Sequence, residues 1–564
     1  MEKRGSSRWS KRTAAEIALL LLLLAAVAAA YADATKLSWT YDDAFLLHVV
    51  SVHDARGYFD SQQFWRSMPA QMFVPLLLVW YEAGSRVSEL EDARGFYVLT
   101  IALLLAALAV SYVALRMWLG AAESLAAVAM IGLGPLVVSV VTQLMATHYL
   151  IALGMAAGAV ALYTWGISGE MQNAKCKMQN GKRASATPSF SILHFAFCIL
   201  HFASALFYLF AMLAKEIAIP LPALLLLLPA GRFRDRLRAV IPHAIALILY
   251  FTWRKTMIGV FLGGYGWAVT RENAAALIRS LPRQLITSMT PPQVWLGVLL
   301  GAVLLIPIVL KMRSRAFAVA TIVALGAAIG PVLPVSREMQ PRYAFVAWVT
   351  LAVLFAAAAR GKAWLLIAGA LVVAIAHRAE WRDALPLSER MSAEARFVLS
   401  GPVDATLREP KVPPAAMSEL LWMRAQLGAP EGVQWFYDDL YLCAGRHAGR
   451  RVFAFIEACN CVRQVTADIA SCSAVRGNAP LQADFRYAGE TLFWTFGPYE
   501  QGTWKVVLAD GLQAFTVPRQ DAYKMGSLPG ITLRVRYDSP EGWRTYSDDI
   551  ALDFVHRPRY LWKR

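Results

Sequence analysis

Two adjacent carboxylates, Asp42 and Asp43, are the residues of this sequence whose types and spacing most directly suggest chemistry. They closely follow the first long apolar segment, and the apolar stretch from Ala44 to Leu47 comes directly after them. Because a carboxylate near hydrocarbon is costly to keep charged, such a pair is expected where it acts as a general base or holds a cation. Asp42 can equally cap the short helix that is predicted to begin at Ala44, since Asp is a preferred N-cap residue.

Imidazole and carboxylate side chains continue beyond the pair, at His48, His53 and Asp54. Together with Asp42 and Asp43 they are able to bind a divalent cation such as magnesium or manganese, because hard cations take oxygen ligands and transition metals accept imidazole. Asp43, His48 and His53 are therefore candidate metal ligands. The pattern is weakly specific, so the sequence identifies no required cofactor.

The elements that must position these residues are membrane-spanning helices. The chain has 564 residues, of which 57% are hydrophobic and only 17% charged, a composition that excludes disorder, coiled coil and collagen. Apolar runs of roughly the ~20 residues needed to cross a bilayer predict eleven spans. They cover 14–32, 96–117, 121–141, 147–166, 190–213, 217–230, 239–253, 293–310, 316–334, 343–359 and 363–376.

The charge of the connecting loops predicts the orientation of these spans. Alternate loops, beginning with the N-terminal tail, all carry Lys or Arg, which by the positive-inside rule makes them cytoplasmic. The chain is thus expected to be a multi-pass protein of the plasma or inner membrane, with a cytoplasmic N-terminus and a periplasmic or extracytoplasmic C-terminal region. The first segment also has features of a cleaved signal peptide. Since the positive surplus lies in residues 1–376 and fits loop orientation, we expect no nucleic-acid partner.

Several cations depart from this charge rule because they stand in loops predicted to be outside. They are Arg254, Lys255, Arg337 and Arg342. Cations at outer helix ends are expected to bind an anion, and lipid-linked phosphate is the anion found at that surface. The first outer loop, 33–95, is instead acidic and contains a short apolar piece, Met72 to Tyr81, that predicts an interfacial or re-entrant helix.

The C-terminal part has a soluble composition. Residues 1–376 are predicted to be the membrane domain, 377–430 a helical linker region, and 431–564 an exported β-rich domain, a sandwich or jelly roll with about seven short strands. Two further acidic pairs, Asp438-Asp439 and Asp548-Asp549, are interpreted as solvated loop or strand-end residues.

Four cysteines cluster in this exported region, at Cys443, Cys459, Cys461 and Cys472. An even number of cysteines in an oxidising compartment predicts two disulfides, although the sequence does not determine which residues pair. Metal binding by Cys459 and Cys461 is the alternative, but no histidine stands at zinc-finger spacing.

Three short motifs, in this order and placement, resemble the GT-C superfamily of polyprenyl-phosphate-dependent glycosyltransferases. They are Tyr41-Asp42-Asp43, Ala214-Lys215-Glu216-Ile217-Ala218 before a Pro/Leu-rich helix, and Gln340-Pro341-Arg342-Tyr343. The branch that they most resemble is glycosyltransferase family 39 and its bacterial relatives, which include protein O-mannosyltransferases and the aminoarabinose transferase acting on lipid A. The likeness covers residues 1–376.

The resemblance implies a role for each matching residue. Asp42 or Asp43 would deprotonate an acceptor hydroxyl, while Lys215, Arg337 and Arg342 would neutralise the leaving polyprenyl phosphate, with Arg254 and Lys255 as further phosphate-binding cations. His48, Glu216 and Tyr343 would support the acceptor or the site. Relatives often carry another acidic residue in the next outer loop, but residues 141–148 contain no carboxylate here, so His148 or Gln143 would substitute.

These expectations combine into a polytopic, GT-C-like glycosyltransferase with an exported β-rich domain. It would move a sugar from a polyprenyl-phosphate-linked donor to a lipid, glycan or protein acceptor outside the cytoplasm, with inversion at the anomeric carbon. Its partners would be this donor, the surrounding membrane lipids and the acceptor. A lipid-linked oligosaccharide ligase or polymerase is the first alternative. A non-enzymatic transporter or scaffold is the second.

Overall fold

The computed structural model divides the chain into two compact units. The first contains Met1–Leu37 and Phe45–Ser388, and the second contains Ser38–Ala44 and Glu389–Arg564. The structure describes residues 3–68, 72–180, 189–259, 261, 271–291, 293–332, 340–430, 432–443, 445–466, 480–488, 491–524 and 528–554.

Helices make up the first unit, as expected for apolar segments that must satisfy their backbone hydrogen bonds internally. They are α1 Lys3–Ala30, α2 Asp43–Val52 (which begins in the second unit), α3 Gly57–Asp60, α4 Gln62–Ser67, α5 Pro75–Ser85, α6 Arg94–Arg116, α7 Ala121–Gly132, α8 Pro135–Val141, α9 His148–Asn180, α10 Ser189–Ala214, α11 Leu221–Leu227, α12 Phe233–Ile258, α13 Arg271–Met289, α14 Val294–Lys311, α15 Arg315–Ile329, α16 Phe345–Ala358 and α17 Ala363–Ser400. Short 3₁₀ turns cover Ala32–Lys36, Leu144–Thr147, Glu216–Ala218 and Pro341–Ala344.

Seven of the described helices are long and apolar enough to cross a membrane, or eight spans if the bent pair α7 and α8 forms one. This is compatible with a multi-pass membrane protein, whereas the predicted count of eleven spans is not confirmed. A short helix, α5, is present where an interfacial or re-entrant helix is predicted, and its 11 residues are too few to span a bilayer.

The predicted sixth span contains only a short helix, α11, with seven residues. Its neighbours α10 and α12 nevertheless run parallel, because Ser204 contacts His243 midway and Glu216, just beyond α10, contacts Arg254 near the end of α12. Residues 216–232 must therefore return along the length of the bundle. Three prolines in this segment, at 220, 222 and 229, explain why the return is not one continuous helix.

The second unit begins with a small α/β layer. Its sheet has the order β2-β1-β3-β4, with β1 Ala405–Arg408 parallel to both β2 Gln434–Phe436 and β3 Arg451–Ile456, and β4 Cys461–Gln464 antiparallel to β3. Helix α18, Pro414–Gln426, forms the crossover between β1 and β2. The region predicted as a helical linker therefore contributes the central strand of a sheet, and α17 runs unbroken through the predicted boundary at residue 376.

Two antiparallel sheets follow. One joins β11-β10-β7-β8, with β12 paired to β10, and the other joins β5-β6-β9. The bounds are α19 Leu440–Cys443, β5 Gln482–Ala488, β6 Thr491–Gly497, β7 Thr503–Leu508, β8 Gln513–Val517, β9 Gln520–Lys524, β10 Leu528–Asp538, β11 Arg544–Tyr546 and β12 Ile550–Phe554. Phe496 of the smaller sheet shares a core with Trp504, Val535 and Tyr537 of the larger one, which confirms a β-rich C-terminal region.

The interpretation of Asp438 and Asp439 as solvated residues is wrong, since their exposed fractions are 0% and 3%. Asp438 accepts from Arg536 at 2.6 Å, and Asp439 accepts from Arg408 at 2.8 Å. Arg536 also binds Asp538 at 2.8 Å. These ion pairs join the α/β sheet to the large antiparallel sheet, a role that depends on strands far apart in sequence. Asp548 and Asp549 are exposed, as expected.

Cys459 and Cys461 form a disulfide with each other, and Cys443 is also disulfide-bonded. Cys472 lies outside the described residues. The cysteines of the β-rich region are thus used for disulfides rather than for the alternative metal site wherever the structure describes them.

Candidate functional site

Three buried cations converge at one end of the helical bundle. Lys215 follows the last residue of α10, Arg254 lies near the end of α12, and Arg342 lies in the turn before α16. Their exposed fractions are 7%, 1% and 7%. Lysine and arginine are seldom so buried unless they are paired, because removing a charge from water costs several kcal/mol even after relaxation. We refer to Lys215, Arg254 and Arg342 as the cation cluster.

Arg254 is held by an ion pair. Its Nε lies 2.7 Å from Oε1 of Glu216, the residue that follows Lys215 in the chain. The pair ties the end of α12 to the turn after α10. Arg254 and Glu216 therefore neutralise each other, and the net positive charge of the cluster comes from its other two members.

Lys215 and Arg342 have no carboxylate within salt-bridge distance among the described residues. The Lys215 ammonium instead lies 3.4 Å from the Met72 sulfur and 5.3 Å from the centre of the Tyr149 ring. Arg342 donates to the side-chain oxygen of Gln143, and its guanidinium lies 5.3 Å from the Tyr343 ring centre. Aromatic faces and neutral acceptors stabilise a cation without cancelling its charge, so Lys215 and Arg342 together are able to bind an anion.

A histidine, His148, lies close to Lys215 and Arg342. It is 3% exposed, begins α9, and packs on the neighbouring Tyr149 with ring centroids 4.7 Å apart. Lys215 and Arg342 both act electrostatically on its ring. Imidazole nitrogens can donate or accept a hydrogen bond, so His148 is a further residue that could contact a ligand.

An apolar cavity of about 550 Å³ opens beside the cation cluster. Tyr149, Ile217 and Phe345 form its wall nearest to the cluster, and Trp118, Phe317 and Pro229 lie in its lining farther along the bundle. Tyr149 thus faces both the cavity and the Lys215 ammonium. A polar group bound by the cations would have hydrocarbon-like space next to it, the arrangement required by an amphiphilic anion.

The carboxylate pair lies in the second unit, where the two residues differ sharply. Asp42 is exposed, whereas Asp43 is 0% exposed and its Oδ2 accepts the Thr40 N–H at 2.8 Å. Asp43 also donates its own N–H to the Thr40 carbonyl and begins α2. Asp42 directly precedes the first residue of α2, as a capping residue would, whereas the Asp43 carboxylate bonds back to Thr40.

The backbone before the pair is strained. Tyr41 has φ of 47°, a left-handed conformation that is uncommon for a residue with a Cβ atom. Such strain persists only where the surroundings enforce it, and it clusters at functional sites. Here the buried Asp43 and the hydrogen bond from the Ser38 N–H to Ser392 Oγ, at 2.9 Å, hold the segment in place.

The remaining predicted site residues lie apart from the cation cluster or outside the described residues. Lys255 is exposed, with its ammonium 4.4 Å from the Phe261 ring centre, so it points away from the buried Arg254. Arg337 lies outside the described residues. His53 is exposed, its ring 4.7 Å from that of Phe64, and His48 is half-buried in α2. Within the part of the chain that the structure describes, no three His, Cys, Asp or Glu side chains form a metal-binding group.

Sequence reasoning missed the partners that surround the cations. Gln143 is predicted only as a substitute for an acidic residue, and the sequence pattern does not indicate Met72 and Tyr149 as neighbours of Lys215. The Thr142-Gln143 and His148-Tyr149 pairs flank a turn between apolar helices, and polar residues in that position are the signal that could have identified them.

No protein-family model matches the sequence, and no curated protein matches it.

Proposed function

We propose that this chain is a membrane glycosyltransferase that uses a polyprenyl-phosphate sugar as its donor. The observation that carries the proposal is a pair of buried cations, Lys215 and Arg342, beside an apolar cavity of about 550 Å³. Neither has a carboxylate within salt-bridge distance among the described residues. A phosphate with a long hydrocarbon chain matches both features at once. The three sequence motifs that resemble GT-C enzymes support the same donor class.

Phosphate binding would satisfy the electrostatics of the cluster. An anion between Lys215 and Arg342 accepts charge-assisted hydrogen bonds from both, each worth about 1.5–3 kcal/mol. His148 can donate a third hydrogen bond, and the Arg254–Glu216 pair fixes the turn that carries Lys215. The same cations favour transfer, because negative charge grows on the phosphate as its bond to the sugar breaks.

The cavity would hold the first part of the hydrocarbon chain. Each CH₂ group buried there contributes about 0.8 kcal/mol relative to water. This contribution does not depend on the sugar, so the cavity would select for the lipid carrier and leave sugar selection to other groups.

We assign the base role to Asp42. The resemblance of the Tyr41-Asp42-Asp43 motif supports a carboxylate of this pair as the base. Asp42 is its exposed member and can accept a proton from an acceptor hydroxyl, whereas Asp43 is buried and accepts from Thr40. The base removes the hydroxyl proton, the oxygen attacks the sugar C1, and the polyprenyl phosphate departs with the bonding electrons. A single displacement of this kind inverts the anomeric centre. Asp43 would act as a positioning residue.

The proposal includes an orientation, with the N-terminus cytoplasmic and the second unit outside. The positive-inside distribution of the loop charges supports it. Alkaline phosphatase and a cytoplasm-active fluorescent protein, fused in turn to the C-terminus, test it in a bacterial host. Activity of phosphatase alone supports an external second unit, and fluorescence alone overturns the orientation.

Sugar transfer in membrane vesicles tests the function. Vesicles containing the protein are supplied with radiolabelled polyprenyl-phosphate sugars, and label in water-soluble, lipid and protein fractions is followed. We expect transfer that requires Lys215 and Arg342 but not Lys255. Transfer only of oligosaccharide from a diphosphate-linked donor would indicate a ligase, and absence of any transfer together with absence of polyprenyl-phosphate binding would overturn the proposal.

A further inference from the structure

We propose that the Cys459–Cys461 disulfide is a redox-exchange site that accepts electrons from a dithiol. The disulfide closes the turn of the β3–β4 hairpin, where Ile456 pairs with Cys461 and the residues between form a 3₁₀ turn. Cys459 is exposed and Cys461 is half-buried. Cys459 is thus the more accessible residue of the two.

A structural role does not explain this disulfide well. A cross-link stabilises a fold mainly by restricting the unfolded chain, and that effect is smallest for the shortest loops. Only Asn460 separates the two cysteines, and the β3–β4 hydrogen bonds already bring them together. Asn460 has φ of 49° and donates to Glu389 Oε2 at 2.9 Å, so the turn has its own means of holding shape.

Arg463 gives the two sulfurs different chemistry. Its Nε lies 3.3 Å from the Cys461 sulfur, at hydrogen-bond distance for sulfur. A guanidinium in this position stabilises a thiolate on Cys461, and a stabilised thiolate is the better leaving group in exchange. The geometry therefore assigns Cys459 as the sulfur that is attacked and Cys461 as the one that leaves.

The exchange is balanced as follows. A thiolate of the dithiol attacks Cys459 Sγ, the bond between the two sulfurs breaks, and the electron pair remains on Cys461. The second thiolate of the dithiol then attacks the first sulfur of the same dithiol, which is bonded to Cys459, and releases Cys459 as a thiolate. The hairpin gains two electrons and the two protons of the dithiol, and the dithiol becomes a disulfide.

Timed reduction of the purified full-length protein tests the proposal. The oxidised protein in detergent is treated with dithiothreitol or with reduced thioredoxin, quenched with iodoacetamide, and analysed by peptide mass spectrometry. We expect Cys459 and Cys461 to be alkylated roughly tenfold sooner than Cys443. Early reduction by dithiothreitol alone assigns the partner as a small dithiol, and early reduction by thioredoxin as well assigns a protein dithiol. Reduction no earlier than that of Cys443 with either reagent overturns the proposal.

Variants of Arg463 and of each cysteine separate a redox role from a structural one. Arg463→Gln should slow reduction roughly two- to fivefold, whereas Arg486→Gln, an exposed arginine on β5, should leave the rate unchanged. Replacing one cysteine leaves the other as a free thiol. Cys461, left in Cys459→Ser, should react with iodoacetamide at pH 7 faster than Cys459, left in Cys461→Ser. Adding Arg463→Gln should abolish that difference. Equal reactivity of the two thiols with Arg463 present would contradict the assigned direction of exchange.

Discussion

Replacement of Lys215 by methionine separates ligand binding from folding more clearly than any other change in the cation cluster. Methionine keeps most of the length of the lysine side chain and removes its charge. Lys215 is 7% exposed, and its ammonium has a sulfur and an aromatic ring as neighbours, with no carboxylate in salt-bridge distance among the described residues. The free protein therefore bears the cost of burying this charge, whereas a bound phosphate would offset it.

The expected magnitudes follow from that environment. Loss of one charge-assisted hydrogen bond, about 1.5–3 kcal/mol, should weaken polyprenyl-phosphate binding by roughly 10- to 150-fold. The unliganded Lys215→Met protein should unfold at the same temperature as the parent or at a higher one, because a desolvated charge has been removed. Arg254→Met should behave differently, since it leaves Glu216 without its partner at 2.7 Å and lowers stability as well as binding.

Two measurements on detergent-solubilised protein provide the assay. Thermal unfolding is recorded without ligand, and binding of undecaprenyl phosphate is measured by titration. Lys255→Met is the matched control, because Lys255 is adjacent to Arg254 in sequence but exposed. Its affinity for undecaprenyl phosphate should change by no more than about twofold, and its stability by no more than ~0.5 kcal/mol. If Lys215→Met instead destabilises the free protein as much as Arg254→Met does, Lys215 is a structural residue and the anion-site reasoning fails.

Three further predictions concern the base, the cavity and the second unit. Asp42→Asn should reduce sugar transfer, measured with radiolabel, by a factor of roughly 10²–10⁴ without loss of expression. Asp43→Asn should chiefly lower stability, measured by thermal unfolding, by about 1 kcal/mol. Equal transfer by Asp42→Asn and the parent excludes Asp42 as the base. Ala156→Phe, within the cavity lining, should weaken binding of a long-chain polyprenyl phosphate about tenfold and leave binding of a short-chain prenyl phosphate unaffected. Titration with both ligands measures this difference, and equal losses of affinity would show that the cavity does not hold the chain. Burial acts to raise the pKa of Asp538, but hydrogen bonds and charge from Arg536 and Arg544 lower it overall. Its stabilising contribution should therefore be present at neutral pH and disappear as the pH falls through and below the unfolded value of ~3.9. Asp538→Asn should flatten the decline in unfolding temperature between about pH 5 and pH 2, and an unchanged decline in that range would contradict this assignment.

Much of the architecture was predictable because bilayer physics leaves few options. Composition and apolar run length predict a helical bundle, and alternation in the C-terminal region predicts strands, since side-chain burial is periodic in both. The strands of the two antiparallel sheets all lie within 431–564, the region that is predicted to be β-rich. Strand β1 was missed because it has four residues in a proline-punctuated segment, and its parallel partners lie far away in sequence.

The residue types of the candidate site were likewise visible in the sequence, whereas their states were not. Lys215, Arg254, Lys255 and Arg342 stand out as cations at helix ends, yet only packing decides that Arg254 is neutralised by Glu216 and that Lys255 is solvated. The sequence shows a lysine equally well whether it is buried or exposed. Its burial cannot be predicted locally, because it depends on neighbours contributed by distant segments.

The same reason separates the acidic pairs. The sequence by itself determined where Asp42-Asp43 and Asp438-Asp439 stand, on either side of the apolar segments. Only the tertiary structure decided that Asp42 is exposed, that Asp43 begins a helix, and that Asp438 and Asp439 are buried against arginines from other strands. Local sequence specifies chemistry and periodicity, whereas solvation and pairing are collective properties of side chains that the fold brings together.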